Sequence, residues 1–214
     1  MSRFILFALL ILMHGSALAA RTVLVVGDSL SAGYGLRQNQ AWPALLAGRL
    51  ANAKSDYQVI NASISGDTSA NGRSRLPAAL KQHRPAIVVI ALGANDGLRG
   101  LPVHAMRANL GAMAEASRAA GARVLILGME MPPNYGPDYQ QKFRESFAGV
   151  ARDHAASLVP FMLAGFAEKR EYFQADGIHP TAAAQPMIVD NVWPMLKPLL
   201  TRPATTAGLP SLRR

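Results

Sequence analysis

Three runs in this chain are apolar almost without a break: Val23-Leu24-Val25-Val26, residues 86–92, and Val124-Leu125-Ile126-Leu127. A strand with one wet face alternates apolar and polar residues. Unbroken runs this short belong instead to strands covered on both faces, as in a parallel sheet. Five strands are expected, at 22–26, 58–61, 86–92, 123–128 and 157–161. Longer stretches of helical character separate and follow them, at 41–53, 69–83, 102–120, 139–155 and 181–200. In the fourth, Phe143, Phe147, Val150 and Ala151 recur at helical spacing, with Arg144, Glu145 and Arg152 opposite. Pro43 and Pro102 sit in expected first turns, where a missing N–H costs nothing, whereas Pro186 and Pro194 are expected to kink or divide the last helix. The alternation predicts one α/β domain, a three-layer α/β/α sandwich on a five-stranded parallel sheet in the flavodoxin-like order. That order puts functional loops at the carboxyl ends of the strands.

The two ends of the chain read differently. Met1-Ser2-Arg3 is a short basic start, residues 4–13 are uniformly apolar, and Ala17-Leu18-Ala19 has the small-residue pattern of a signal-peptidase site. The apolar run is shorter than the roughly 20 residues that span a bilayer, so residues 1–20 are expected to be a secretory signal cleaved near Ala19 or Ala20. Residues 201–214, rich in proline, small residues and arginine, are expected to be a disordered tail, leaving 21–200 as the domain. The chain has no cysteine, which excludes thiol nucleophiles, disulfides, cysteine-ligated zinc and lipoprotein anchoring. A periplasmic or secreted address fits a leader on a disulfide-free domain. The formal charge is +9, and setting aside Arg3, Arg202, Arg213 and Arg214 leaves +5 spread along the domain. No basic run carries interleaved aromatics, so nucleic acid is not an expected partner, while transient contact with anionic lipid is.

The chemistry-bearing residues fall just after the expected strands. Ser29 follows the first strand in Gly27-Asp28-Ser29-Leu30, and His179 lies beyond the fifth in Asp176-Gly177-Ile178-His179-Pro180. A serine hydroxyl becomes a useful nucleophile when an imidazole takes its proton, and the imidazole works best when a carboxylate holds its tautomer. On a turn, the spacing of Asp176 and His179 lets the carboxylate accept from Nδ1 while Nε2 faces the serine. The bland alternative for Ser29 is a helix cap, and for His179 a loop histidine. His83, His104 and His154 have ready explanations at helix termini. The developing oxyanion needs donors, and the candidates are the N–H groups of Ser29 and Gly66 and the amide of Asn95. Asp28 and Asp96 are expected to shape loops by hydrogen bonding rather than to bind metal.

Four ordered blocks, Gly27-Asp28-Ser29-Leu30, Gly66, Gly93-Ala94-Asn95-Asp96 and Asp176-Gly177-Ile178-His179, resemble those of the SGNH, or GDSL, hydrolases. The resemblance covers 22–200. It implies a Ser29–His179–Asp176 triad, an oxyanion hole from Ser29, Gly66 and Asn95, and no metal or organic cofactor. Residues 61–68, 95–100, 131–136 and 191–194 are similar to those of small exported bacterial members described as acyl-CoA thioesterases, arylesterases and lysophospholipases. The expected activity is hydrolysis of small acyl esters or thioesters by a monomer. Two alternatives stay open here: a carbohydrate acetylesterase of the same fold, and a non-catalytic lipid- or nucleotide-binding module. Residues 97–102, with Leu98, Arg99 and Leu101 between glycines and a proline, are expected to form a mobile lip that sets acyl-chain preference, or else a plain strand-to-helix connection.

Overall fold

The computed structural model describes residues 20–201. The expected leader, but for Ala20, and the expected tail, but for Thr201, lie outside the described residues. Five parallel strands form one sheet: β1 (Arg21–Gly27), β2 (Tyr57–Asn61), β3 (Ile87–Ala91), β4 (Arg123–Leu127) and β5 (Ser157–Val159). Their order is β2-β1-β3-β4-β5, all pairs parallel, which is the flavodoxin-like arrangement. The unbroken runs occupy the three central strands, and β3 is buried at every position. β5 ends at Val159, two residues earlier than expected, because Pro160 has no N–H for the ladder.

Helices cover both faces. On one side α3 (Ser69–His83), α5 (Val103–Ala119) and α6 (Pro137–Asp153) pack in a row, and on the other α2 (Trp42–Asn52) packs against α7 (Gln185–Leu200). The core runs through both interfaces and includes Trp42, Leu46, Phe143, Phe147, Ile188 and Val192, all at most 1% exposed. The last helix starts at Gln185, later than expected, and is not divided. Pro186 lies in its first turn, where proline is well tolerated, and the helix runs on through Pro194 and Pro198. Residues 182–184 form a separate 3₁₀ turn ahead of it.

Two very short helices were not foreseeable from periodicity: α1 (Ser29–Ala32) after β1, and α4 (Ala94–Leu98) after β3. β1 and β3 are the adjacent strands at which the order of the sheet reverses, so both helices stand at the crevice where α/β sheets bind ligands.

Candidate active site

Ser29 is the first residue of α1, and the cap of that helix is Asp28 rather than the serine. Asp28 Oδ1 accepts from the Leu30 N–H at 3.0 Å, and Gly33 in the left-handed region closes the helix after a single turn. Gly27 admits this sharp turn because a Cβ there would lie 2.7 Å from Ser31 Oγ. The Ser29 hydroxyl is left free to face His179, whose Nε2 is 2.9 Å from Oγ.

His179 Nδ1 lies 2.7 Å from Asp176 Oδ2. The other carboxylate oxygen accepts the N–H groups of Ile178 at 2.9 Å and His179 at 3.0 Å. These two backbone donors, the His179 N–H foremost, with the imidazole after them, hold the Asp176 carboxyl down at about 2. A carboxylate facing Nδ1 accepts a hydrogen bond from the Nδ1–H, which leaves the Nε2 lone pair to accept from the serine hydroxyl. The loop itself is tethered: Gln174 N–H donates to the His179 carbonyl, and Gln174 Nε2 donates to the carbonyl of Tyr34 at 2.8 Å. Tyr34 places its ring over the imidazole, with centroids 4.4 Å apart.

Of the three candidate oxyanion donors, the Ser29 N–H belongs to a helix first turn, where N–H groups have no intrahelical acceptor. Asn95 Nδ2 donates to the Asp67 carbonyl at 3.0 Å, which orients the amide and leaves its second N–H available. Gly66 sits at φ +85°, a conformation suited to glycine, and its carbonyl accepts from Arg99 Nη2 at 2.8 Å. Ser29 and Asn95 line the cavity described next, and Gly66 is not among its lining residues.

That cavity has a volume of about 680 Å³ and runs from Ser29 and His179 past Leu98, Met129, Met131, Pro132, Leu163 and Phe173. Its walls are mostly apolar, with Asp28, Glu130, Arg144 and Glu168 as acidic or basic exceptions. Residues 97–102, the expected lip, are tied to the elements around them. Gly97 and Leu98 belong to α4, and Tyr135 Oη donates to the Leu98 carbonyl while Tyr139 Oη donates to that of Leu101. Leu98 lines the cavity, but Arg99 and Leu101 do not. Met129, Leu163 and Phe173 were not singled out from sequence. They follow β4 and β5 without a local motif, and only closure of the sheet brings them beside Ser29.

Asp28 and Asp96 shape the two loops. Asp96, 3% exposed, accepts from the Ser69 N–H at 2.7 Å and from Ser69 Oγ at 2.6 Å, joining α4 to the start of α3. Asp28 is 1% exposed and its Oδ2 has no partner, so burial pushes its carboxyl up to about 7. Among the described residues no group of three or more histidine or acidic side chains is arranged to hold a metal ion.

Residues 25–185 match the GDSL-like lipase/acylhydrolase family. The chain belongs to this family. It is 56% identical over 182 residues to esterase TesA of Pseudomonas aeruginosa, covering 85% of this chain and 90% of that protein. It is 42% identical over 194 residues to thioesterase 1/protease 1/lysophospholipase L1 of Escherichia coli K12, covering 91% and 92% of the two. The crystal structure of TesA matches with a TM-score of 0.82 at 55% identity, over 84% of this chain and 99% of that one. Membership makes the chain an acylhydrolase in a sheet of the SGNH type, and the GDSL block for which the family is named is here Gly27-Asp28-Ser29-Leu30.

Proposed function

We propose that this GDSL acylhydrolase is a serine esterase and thioesterase that works through an acyl-enzyme on Ser29. The carrying observation is the continuous relay Ser29 Oγ–His179 Nε2 at 2.9 Å and His179 Nδ1–Asp176 Oδ2 at 2.7 Å, opening on an apolar-walled cavity. Ser29 Oγ attacks the acyl carbonyl as His179 takes its proton. The oxyanion then meets the N–H groups of Ser29 and Gly66 and the free N–H of Asn95. His179 returns the proton to the departing alkoxide or thiolate, and water repeats the sequence on the acyl-enzyme.

Fatty acyl thioesters, lysophospholipids and aryl or short-chain esters form the substrate class. The wall of Leu98, Met129, Met131 and Leu163 supports an acyl chain rather than a polyol there, and methionine adapts to chains of different shape. Among the described residues, five of the six exposed large hydrophobics, Tyr34, Ile64, Leu98, Leu101 and Ile178, belong to the segments that carry the site, which supports contact with a lipid surface during turnover. The leader-like start supports export to the periplasm or beyond. The deciding experiment is labelling with a fluorophosphonate. The wild-type protein is expected to be labelled at Ser29, and a folded Ser29→Ala variant not at all; label elsewhere, or none, would overturn the reading.

A further inference from the structure

Arg75 lies in the second turn of α3, away from every loop that carries chemistry, yet its guanidinium reaches three acceptors at the strand ends. Nε donates to Asp67 Oδ2 at 2.7 Å, Nη1 to the Ala62 carbonyl at 2.5 Å and Nη2 to the Gly27 carbonyl at 3.2 Å. Each acceptor leads directly to a proposed oxyanion donor. Gly27 stands two residues before Ser29. Asp67 follows Gly66, and its own carbonyl holds the Asn95 amide at 3.0 Å. Ala62 begins the turn toward Gly66, and inside that turn the Ile64 N–H donates to the same Gly27 carbonyl at 3.0 Å. The Arg75 and Asp67 side chains are 22% and 12% exposed, so the pair is substantially withdrawn from water.

We propose that Arg75 is a positioning residue that sets the relative placement of all three oxyanion donors. The proposal rests on the acyl-transfer reading above. Oxyanion stabilisation depends on donors fixed before charge develops, and misplacement by about 1 Å costs on the order of 10²-fold in rate. A planar fork of five N–H donors can brace two backbone carbonyls and a carboxylate at once. A lysine ammonium, a compact point charge, keeps the partner for Asp67 but not the fork.

The test compares Arg75→Met, Arg75→Lys, Asn95→Ala and the Arg75→Met/Asn95→Ala double variant on a soluble aryl ester. Folding is checked by near-ultraviolet circular dichroism. Arg75→Met is expected to lower kcat by about 10- to 100-fold with KM changed by less than about threefold, and Arg75→Lys to fall between it and wild type. With Asn95 already removed, the same Arg75→Met change is expected to cost less, because one of the three donors that it positions is gone. Unchanged kcat, an effect confined to KM, or an equal loss in both backgrounds would each overturn the proposal. Should Arg75→Met fail to fold, Arg75→Lys decides alone: lowered kcat at constant KM supports the role and wild-type kcat rejects it. A wild-type protein that neither hydrolyses the ester nor takes a fluorophosphonate would instead remove the acyl-transfer reading, and this proposal with it.

Discussion

At the scale of single residues, the relay has a division of labour that mutation resolves. Ser29→Ala and His179→Ala are each expected to lower kcat by at least about 10³-fold, with little loss of folding, since neither side chain fills the core. Asp176→Ala should cost less, because in the proposed relay that residue orients the imidazole and never carries the proton; equal losses for Asp176→Ala and His179→Ala would argue against this division. Asn95→Ala is expected to lower kcat by roughly 10²–10³ with little change in KM, as for a donor aimed at transition-state charge. Asp28 behaves differently from Asp176. Its carboxyl rises from 3.8 to about 7 in the fold, so between those values the folded chain holds a proton that the unfolded chain has lost. Raising pH therefore weakens folding through that window, and stability present below about 4 is lost by about 7. Asp28→Asn keeps the oxygen that caps α1 and removes the titration. Chemical unfolding of both proteins at several pH values should show the wild type losing stability across the window by a few kcal/mol more than the variant. Parallel pH dependence in the two would show that Asp28 does not carry it. Ser29, Asp176 and His179 are legible in sequence because their chemistry is local to short loops. Arg75 is not, since a mid-helix arginine ordinarily reads as a solvated face.

At the scale of elements, the central strands are legible because burial on both faces leaves no room for polar residues. The helices α2, α3, α5 and α6 are recovered to within a residue or two of their ends. What escapes is a helix of little more than one turn. α1 and α4 have four and five residues, too few to show amphipathicity, and each depends on its surroundings: a buried aspartate cap for α1, a left-handed glycine for α4. The prolines of α7 do not divide it, because Pro186 lies in the first turn and the surrounding core overrides an unfavourable Pro194. Gly93, which precedes α4, sits at φ +119°, and a Cβ there would meet Met106 Sδ and Phe147 Cζ, both at 3.0 Å. Gly93→Ala is thus expected to destabilise the fold by about 1–3 kcal/mol through strain alone. It should also lower kcat, since Asn95 follows two residues later. A variant with wild-type unfolding free energy and kcat would mean that α4 tolerates a shifted entry.

For the molecule as a whole, the carboxyl ends of the strands collect the candidate catalytic residues, and the alternation of strands and helices is enough to foretell that gathering. The cavity wall is not foretold, because Met129, Leu163 and Phe173 come from connections after β4 and β5 with no pattern of their own. Nor is the distribution of exposed apolar groups, which sequence cannot separate from buried ones. Ile64 is 51% exposed on the loop that carries Gly66, while Met195 is 42% exposed on α7, the one large exposed hydrophobic among the described residues that lies away from the site segments. Both present similar apolar area, so comparing them isolates position from hydrophobicity. The domain also carries +5 once the expected leader and tail are set aside, which favours an anionic surface. Vesicles of phosphatidylcholine with phosphatidylglycerol are expected to bind the protein, and added salt should release part of it. Returning a half-buried isoleucine to water costs about 1 kcal/mol, or about fivefold in partition coefficient. Ile64→Ser should therefore weaken co-sedimentation by about fivefold, with hydrolysis of a soluble aryl ester unchanged, and Met195→Ser should leave partition near the wild-type value. Equal losses for the two variants would make adsorption non-directional, and no binding by the wild type would remove the lipid-facing orientation altogether.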